Sequence, residues 1–282
     1  MALAQRHGGK GQTELLLEGP KIISEALQSG WKPLILVFGP DGSYDLDGTL
    51  AHLSGDVLVR KASSTEMERI SRLKSAPSII ACFEIPKDLN ATRSSGLATK
   101  QPSKLIAPWW LVADRIQDPG NLGTMIRIAD WFGFEGLICS LDTVDCYNSK
   151  VIQASMGSLF RVPIHYVDLN PVELTRLTGM IVSDTLFSEG DRSVLTCHHE
   201  KPWLIAAMPG GMDLNQIQFP RQGGMLLVGN ESQGLSQNLL QYATHRAGIP
   251  LFGSAESLNA AVATGIFANA IRRAESEVSK TP

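Results

Sequence analysis

The chain has 282 residues, of which 43% are hydrophobic and 19% charged, and its net charge is −3. This balance excludes a disordered polyelectrolyte and fits one large or two modest domains with a substantial core. Residues 1–107 carry 13 basic and 11 acidic side chains and the remainder 12 and 17, so charge alone does not indicate nucleic acid binding.

Membrane and secretory features are missing from the sequence. No apolar run approaches the roughly 20 residues of a membrane span, and the start "MALAQRHGGKGQTE" has no apolar signal core. The four cysteines do not have the CxxC spacing of metal or redox motifs. They are Cys82, Cys139, Cys146 and Cys197. We therefore predict a cytoplasmic protein.

Residues 1–86 have the pattern of a small α/β domain. "ELLLEG" indicates a strand, and "PKIISEALQSG" a helix with Pro20 in its first turn and Gly30 at its end. "PLILVF" and "SIIACFEI" indicate buried strands. Between them, "STEMERISRLK" predicts a helix capped by Ser64 or Thr65.

Residues 87–107 are polar and poor in aromatic side chains, which is typical of a linker. Residues 108–282 then resume the alternation of strands and helices, with strands at "WWLVAD", "GLICS", "PIHYV", "WLIAA" and "MLLVG". This order predicts a mostly parallel sheet covered on both faces. Residues 180–200 fit no element, and Trp109 and Trp110 are expected in the core rather than stacked on bases.

The first candidate motif is "DPGNLGTMIRIADWFG", residues 118–133. Asn121 is predicted to cap the helix that follows. At about 100° per residue, Arg127 lies opposite a single apolar face. That face consists of Leu122, Met125, Ile126, Ala129 and Phe132. Arg127 is then either a solvated arginine or one directed at a ligand or a second chain.

Two further motifs follow strands. In "LLVGNESQGLS", a strand ends at Gly229 and is followed by Asn230, Glu231 and Gly234. Ligands of parallel sheets bind beyond the carboxyl ends of strands, although an ordinary turn would have the same composition. In "IPLFGSAESLNAAVATGIFANAIRR", a strand is expected at 249–252 and a helix from about 257–259. Its small residues permit close packing, either inside the domain or against a second subunit.

Other functional signatures are incomplete. Residues 8–13, "GGKGQT", lack the spacing of a phosphate loop, and no GxGxxG follows the first strand of the larger domain. "GNESQG" is not a GxSxG nucleophile motif. Cys197, His198 and His199 are adjacent in a polar segment without a second ligand cluster, so no metal site is expected.

Taken in order with "NSKVIQASMGSLFRVPI", these motifs resemble the SpoU (TrmH-like) family of RNA ribose 2′-O-methyltransferases. Residues 1–86 are similar to the family's accessory RNA-binding domain, which has a ribosomal-protein-like fold. The resemblance implies an α/β fold with a C-terminal trefoil knot over residues 108–282. It also implies a homodimer that uses S-adenosyl-L-methionine.

The resemblance assigns roles to individual residues. Arg127 would be catalytic across the dimer interface, as a base or as a charged group that holds the 2′-oxygen, and the other catalytic residues would be Asn121, Glu231, Ser257 and Asn259. The cofactor-binding residues would be Gly229, Ile249, Leu258, Asn230, Leu251 and Ala207. The family usually has "SLNVSVA" where this chain has "SLNAAVA", so one hydroxyl is lost at Ala261.

The expected reaction is methyl transfer to a ribose 2′-OH of structured RNA. Ribosomal RNA is favoured over transfer RNA, because the accessory domain is more common among family members that act on ribosomal RNA. A catalytically inactive RNA-binding or ribosome-assembly protein with the same fold is the main alternative. A nucleotide-dependent oxidoreductase is disfavoured by the missing glycine fingerprint.

Overall fold

The computed structural model describes residues 13–41, 57–85, 109–170, 173, 203–220 and 223–278. Several predictions lie outside these residues. They concern the linker at 87–107, the segment 180–200, the glycine-rich start at 8–13 and the Cys197–His199 cluster.

In its described residues, the N-terminal part forms a four-stranded sheet with two helices. Both helices and three of the strands were predicted, whereas β3 was not. Its order is β1-β4-β2-β3, where β4 pairs antiparallel with β1 and β2, and β3 pairs parallel with β2. The elements are β1 (Glu14–Glu18), α1 (Pro20–Gln28), β2 (Pro33–Phe38), β3 (Leu58–Lys61), α2 (Ser64–Ile70) and β4 (Ile79–Glu84).

Local signals explain the ends of both helices. Pro20 is the first residue of α1, and Gly30 follows the helix with φ +80°, as predicted. The predicted cap of α2 was wrong. Ser63, one residue earlier, accepts from the Glu66 N–H, and Glu66 accepts from the Ser63 N–H to complete a capping box.

The larger sheet has six strands, and every pairing in it is parallel. Its order is β10-β8-β9-β5-β6-β7. The strands are β5 (Trp109–Asp114), β6 (Gly136–Ser140), β7 (Ile164–Val167), β8 (Trp203–Asp213), β9 (Gly224–Gly229) and β10 (His245–Gly248). The helices are α3 (Pro119–Trp131), α4 (Ser149–Ser155), α5 (Gln237–Tyr242) and α6 (Ala260–Val278), with 3-10 turns at Ser158–Phe160 and Leu214–Gln216.

The strand predicted at 249–252 was wrong. The last strand is β10, His245–Gly248, and residues 249–259 are irregular. β10 is short and half polar, so its own sequence carries no strand pattern. It is a strand because it pairs with β8, whose register against β10 shifts between Arg246 and Ala247.

Buried apolar side chains continue from the N-terminal sheet into the larger one. Trp109 is fully buried, in agreement with the prediction, and Trp110 is partly buried against a neighbouring cluster. Trp31 of the N-terminal part packs edge-on against Phe160 of the larger part, with ring centroids 5.0 Å apart. Within the described residues, no helix combines the length and apolarity needed to cross a bilayer.

Candidate active site

Helix α3 begins just beyond the carboxyl end of β5. Its N-cap is Asp118, whose Oδ1 accepts from the Asn121 N–H at 2.8 Å, and Pro119 is the first helical residue. The prediction that Asn121 caps the helix was therefore wrong. Asn121 lies in the first turn, and because Asp118 already accepts from its N–H, the amide of Asn121 can make contacts outside the helix.

The Asn121 side chain joins the second and third sequence motifs. Its Nδ2 donates to Oε1 of Glu231, in the loop that follows β9. Its Oδ1 accepts from Nδ2 of Asn259, at 2.8 Å. Oδ1 of Asn259 in turn accepts from the N–H groups of Ala261 and Val262 and caps α6. Three segments far apart in the chain thus meet through one line of polar side chains.

The loop that carries Glu231 is held tightly. A Cβ on Gly229 would overlap the backbone of Gly234 and Leu235, so only glycine allows this close approach. Gly234 has φ +65°, and its N–H donates to the Asn230 carbonyl at 2.8 Å. The turn therefore presents Glu231, which is exposed, in a fixed direction.

Asn230 was predicted to bind the cofactor, and its side chain is used within the loop. Its Oδ1 accepts from the N–H groups of Ser232 and Gln233, at 2.9 and 3.1 Å. Its Nδ2 donates to the Arg115 carbonyl at 3.1 Å. Both the side chain of Asn230 and its carbonyl, which accepts from the Gly234 N–H, therefore hold the turn together.

Two residues at the end of β5 support this loop and were missed by the sequence analysis. Asp114 is buried, and its Oδ2 accepts from the Ser236 N–H at 2.6 Å. Arg115 has φ +57° and donates to Oε1 of Gln233 and to the Gly234 carbonyl. A buried carboxylate at a strand end was the available signal for Asp114. The sequence contains no signal for the left-handed backbone conformation of Arg115.

Three of the residues predicted to bind the cofactor lie on or directly after neighbouring strands. Gly229 ends β9, Ala207 lies on β8 beyond the Ala206–Leu227 pair, and Ile249 follows β10. These three strands are adjacent and parallel, so their carboxyl ends meet at one edge of the sheet. Leu251 and Leu258 lie in the irregular segment, with 70% and 47% of their surfaces exposed. Ser257, in the same segment, is also exposed.

Arg127 does not join this polar line. The apolar face predicted for α3 is present, because Leu122, Met125, Ile126 and Ala129 are buried and Phe132 is partly buried. Arg127 is exposed. It follows Asn121 by six residues, which places it about 240° around the helix and about 9 Å along the axis. The geometry directs Arg127 away from its own Asn121 and Glu231.

Apolar residues are exposed beside Arg127. Trp131, one turn further along α3, is 84% exposed, and Val262 and Ile266 of α6 are 53% and 38% exposed. The two helices pack side by side, since a Cβ on Gly265 would lie 3.7 Å from the Ile128 side chain. Exposed apolar patches of this kind mark contact surfaces. Within the described ranges, no group of three or more potential ligands could hold a metal ion.

Comparison with known proteins identifies the family. The SpoU rRNA Methylase family matches residues 108–269, more than half of the chain. The chain belongs to this family. The first two motifs of this SpoU member lie inside the matched range, and so do residues 249–269 of the third.

The SpoU member is also similar to characterised proteins over most of its length. It is 30% identical to the 23S rRNA (uridine(2479)-2′-O)-methyltransferase of Streptomyces viridochromogenes, over 95% of this chain and 86% of that one. It is 29% identical to the 23S rRNA (guanosine(2553)-2′-O)-methyltransferase RlmP of Bacillus subtilis, over 91% and 88%. The crystal structure of an AdoMet-bound rRNA methyltransferase from Sinorhizobium meliloti superposes with a TM-score of 0.73, at 29% identity, over 96% and 92% of the two chains.

Proposed function

We propose that this protein is a homodimeric methyltransferase that uses S-adenosyl-L-methionine to methylate a ribose 2′-OH of ribosomal RNA. The observation that carries the proposal is the hydrogen-bonded line from Asn259 through Asn121 to Glu231. It joins the three family motifs at the carboxyl edge of a parallel sheet, where ligands of such sheets bind. The relatives that methylate 23S rRNA support the choice of RNA. No relative supports the inactive alternative.

One position inside β8, the last residue of β9 and the residue after β10 fit the methyl donor. Ala207, Gly229 and Ile249 bring backbone groups of three adjacent strands together, and Leu251 and Leu258 add exposed apolar surface. A site for a nucleoside needs this mixture of apolar walls and a few backbone donors and acceptors. The AdoMet-bound structure of the Sinorhizobium meliloti relative supports the assignment.

The path of the chain supports the proposed trefoil knot. β10 lies at one edge of the sheet, separated from β5 by β8 and β9. The next helix, α6, nevertheless packs on α3 and is capped by Asn259, which contacts Asn121. Residues 249–259 must therefore cross two strand ends beside the Asn230–Gly234 turn. Threading there would be a rare exception to the usual absence of knots.

The proposed dimer explains the direction of Arg127. The exposed patch formed by Trp131, Val262 and Ile266 would be covered by a second copy. Arg127, beside this patch, would then reach the loops of the partner subunit. A guanidinium keeps its proton in proteins, so we assign Arg127 the role of a charged group rather than a base. It would hold the 2′-oxygen and an adjacent phosphate by charge-assisted hydrogen bonds.

S-adenosyl-L-methionine would supply a methyl group on a sulfonium: the 2′-oxygen forms the new C–O bond, the S–CH3 bond breaks, the sulfur leaves as a neutral thioether, and the hydroxyl proton is released to solvent. The protein therefore has to align and polarise the 2′-hydroxyl, and alignment alone can lower such a barrier by roughly 7–11 kcal/mol. Asn121 fixes the Glu231 carboxylate beside the loops, where Glu231 can orient the attacking hydroxyl. Asn259 holds Asn121 in turn, and Ser257 stays a predicted contributor. The cytoplasmic location also stays a prediction from the sequence.

A direct assay tests the proposal. Purified protein is incubated with tritiated S-adenosyl-L-methionine and, separately, ribosomal RNA and transfer RNA from cells that lack the protein. We expect tritium in ribosomal RNA, at a nucleotide that resists alkaline hydrolysis because its 2′-oxygen is methylated. Calorimetry with the cofactor provides a second measurement. Binding without transfer to either RNA would contradict the proposed substrate, and no binding would favour the inactive alternative.

A further inference from the structure

Helix α1 of the N-terminal part packs against the catalytic part, which contains the larger sheet. The close approach is at Gly157, which has φ +92°. A Cβ on Gly157 would lie 2.8 Å from Cγ and from Oε2 of Glu25, which belongs to α1. Both the backbone conformation and the close approach require glycine there. The catalytic part is thus shaped to receive this helix.

Arg161 links the two parts by charge. Its Nη1 donates to Oε2 of Glu25 at 2.6 Å. Its Nη2 and Nε donate to Oδ2 of Asp130 on α3, at 2.8 and 3.1 Å. The hydrogen bond to Asp130, followed by the one to Glu25, raises the pKa of the guanidinium above its usual value. We call Glu25, Arg161 and Asp130 the clamp.

An aromatic contact accompanies the clamp. Trp31, which follows α1, is only 5% exposed. It packs edge-on against Phe160 and Tyr147, with centroid distances of 5.0 and 6.4 Å. Exposed ion pairs alone contribute little to stability. The aromatic packing therefore adds a buried apolar contact, and the clamp adds hydrogen bonds of fixed direction.

The clamp contacts α3 at Asp130, on the side of the helix that carries Arg127. Asp130 follows Arg127 by three residues, and residues at this spacing are neighbours on a helix surface. Asp130 follows Asn121 by nine residues, which places it about 180° around the helix and about 13 Å along the axis. The N-terminal part is therefore anchored beside Arg127 and away from the polar line of its own chain.

We infer that the N-terminal part of each protomer delivers RNA to the active site completed by its own Arg127, on the cofactor loops of the partner subunit. Arg161 is the positioning residue that sets this delivery. The inference rests on the proposed function and its dimer. It predicts that RNA recognition and Arg127 act from the same chain, whereas the cofactor is held by the other chain.

The clamp is tested first in homodimers carrying Glu25→Ala, Arg161→Ala or both substitutions. We expect each single variant to raise KM for ribosomal RNA about threefold to fivefold, the range that an ion-pair network supports. KM for the cofactor and kcat should stay unchanged, and the double variant should match the singles. Asp142→Ala and Lys150→Ala, which remove exposed charges of each sign elsewhere in the catalytic part, are the controls.

The two substitutions change the net charge in opposite directions, which distinguishes an effect on docking of the N-terminal part from an effect on electrostatic attraction to RNA. Losing Glu25 makes the protein more positive and losing Arg161 makes it more negative, so simple attraction to RNA would move KM in opposite directions. Opposite shifts, or no shift in variants with unchanged thermal unfolding, would overturn the role of the clamp. If Arg161→Ala unfolds, Glu25→Ala alone still gives the test, because its loss leaves the Arg161–Asp130 pair intact.

Mixed dimers test which site the N-terminal part serves. Two differently tagged chains are co-expressed and the mixed dimer is isolated by both tags. In the first mixture, one chain carries Arg127→Ala with Arg161→Ala and the other is wild type. In the second, one chain carries Arg127→Ala and the other Arg161→Ala. Each mixture keeps one intact Arg127 per dimer, so each should have about half of the wild-type kcat per dimer.

The two mixtures differ in KM. If our inference is right, the first has the wild-type KM for RNA, because Arg127 and an intact clamp lie on the same chain. The second has the raised KM. The reverse pattern would overturn the inference and assign the N-terminal part to the cofactor loops of its own chain. Full activity of the Arg127→Ala homodimer would instead contradict the proposed role of Arg127, which keeps the two failures distinguishable.

Discussion

Arg127 is the residue whose environment differs most from that of the polar residues with which it is proposed to act. Asn121 is hydrogen-bonded to both Glu231 and Asn259, whereas Arg127 is exposed and points elsewhere. A side chain placed this way does not hold the loops of its own chain together. Its removal should affect the reaction without affecting the structure of the cofactor site.

Arg127→Ala should lower the rate of methyl transfer about 100-fold or more, as loss of a single group that stabilises developing charge does. Cofactor binding should stay unchanged. Arg127→Lys keeps the charge but loses the two-pronged geometry, and it should recover only part of the rate. Single-turnover assays and calorimetry measure the two effects. Wild-type transfer by Arg127→Ala would remove this residue from the mechanism.

Residue-level predictions succeeded where composition carries the information. The motif residues Asn121, Glu231 and Asn259 do meet, and their catalytic roles stay predictions. Asp118, rather than Asn121, caps α3 because cap identity depends on where the backbone leaves helical dihedral angles. Arg115 could not be found, since its role comes from a left-handed backbone and contacts with residues over a hundred positions away.

At the scale of elements, helix α3 packs tightly against α4 and less tightly against α6. A Cβ on Gly123 of α3 would lie 2.5 Å from the Ala154 Cβ on α4, whereas a Cβ on Gly265 of α6 has ordinary contact with Ile128. Both glycines are inside helices, where alanine is intrinsically better by about 1 kcal/mol. Packing therefore decides the sign of each substitution.

Gly123→Ala should destabilise the protein by about 1–2 kcal/mol, because overpacking outweighs the helix propensity of alanine. Gly265→Ala should be neutral or stabilising by up to about 1 kcal/mol. Chemical denaturation of the two variants beside the wild type measures both values. Equal stability of the two would mean that α3 and α4 can separate at no cost.

The strands show which elements a sequence can define by itself. β5, β6 and β9 are buried on both faces and were recognised as apolar runs. β3 and β10 are four-residue edge strands with polar residues, and they exist only through pairing with a neighbour. Tertiary contacts, not local preference, explain both omissions.

At the scale of the whole molecule, the exposed patch beside Arg127 should be a dimer interface. Val262→Lys introduces a charge at an exposed position of α6, so the folded monomer should tolerate it while the dimer should dissociate. Light scattering after size exclusion measures the mass, and circular dichroism checks the fold. Transfer should fall with the dimer fraction. A fully active monomer would contradict the contribution of Arg127 across subunits.

Stability of the whole molecule should depend on His165. This side chain on β7 is 3% exposed, and within the described part of the chain neither ring nitrogen has a hydrogen-bond partner. Burial lowers its pKa from 6.5 to about 4. Between about pH 4 and pH 6.5, the unfolded chain therefore binds a proton at His165 that the folded chain does not bind. The free energy of unfolding is complete above about pH 6.5 and decreases as the pH falls toward 4.

Urea denaturation should show a loss of about 2 kcal/mol between pH 7 and pH 5 from this one group. His165→Leu, which places a side chain without a titrating group at this buried position, should make the profile flatter in that window. An equally steep decrease in the variant would assign the acid sensitivity to other groups.

The central claim concerns chemistry in the cell, and a map of ribose methylation at nucleotide resolution tests it most directly. Ribosomal RNA is compared between cells with the protein, cells without it, and deleted cells that express either the wild type or Arg127→Ala. We predict that one 2′-O-methylated nucleotide disappears on deletion, returns with the wild type and stays absent with Arg127→Ala. An identical methylation map in all four strains would contradict the account.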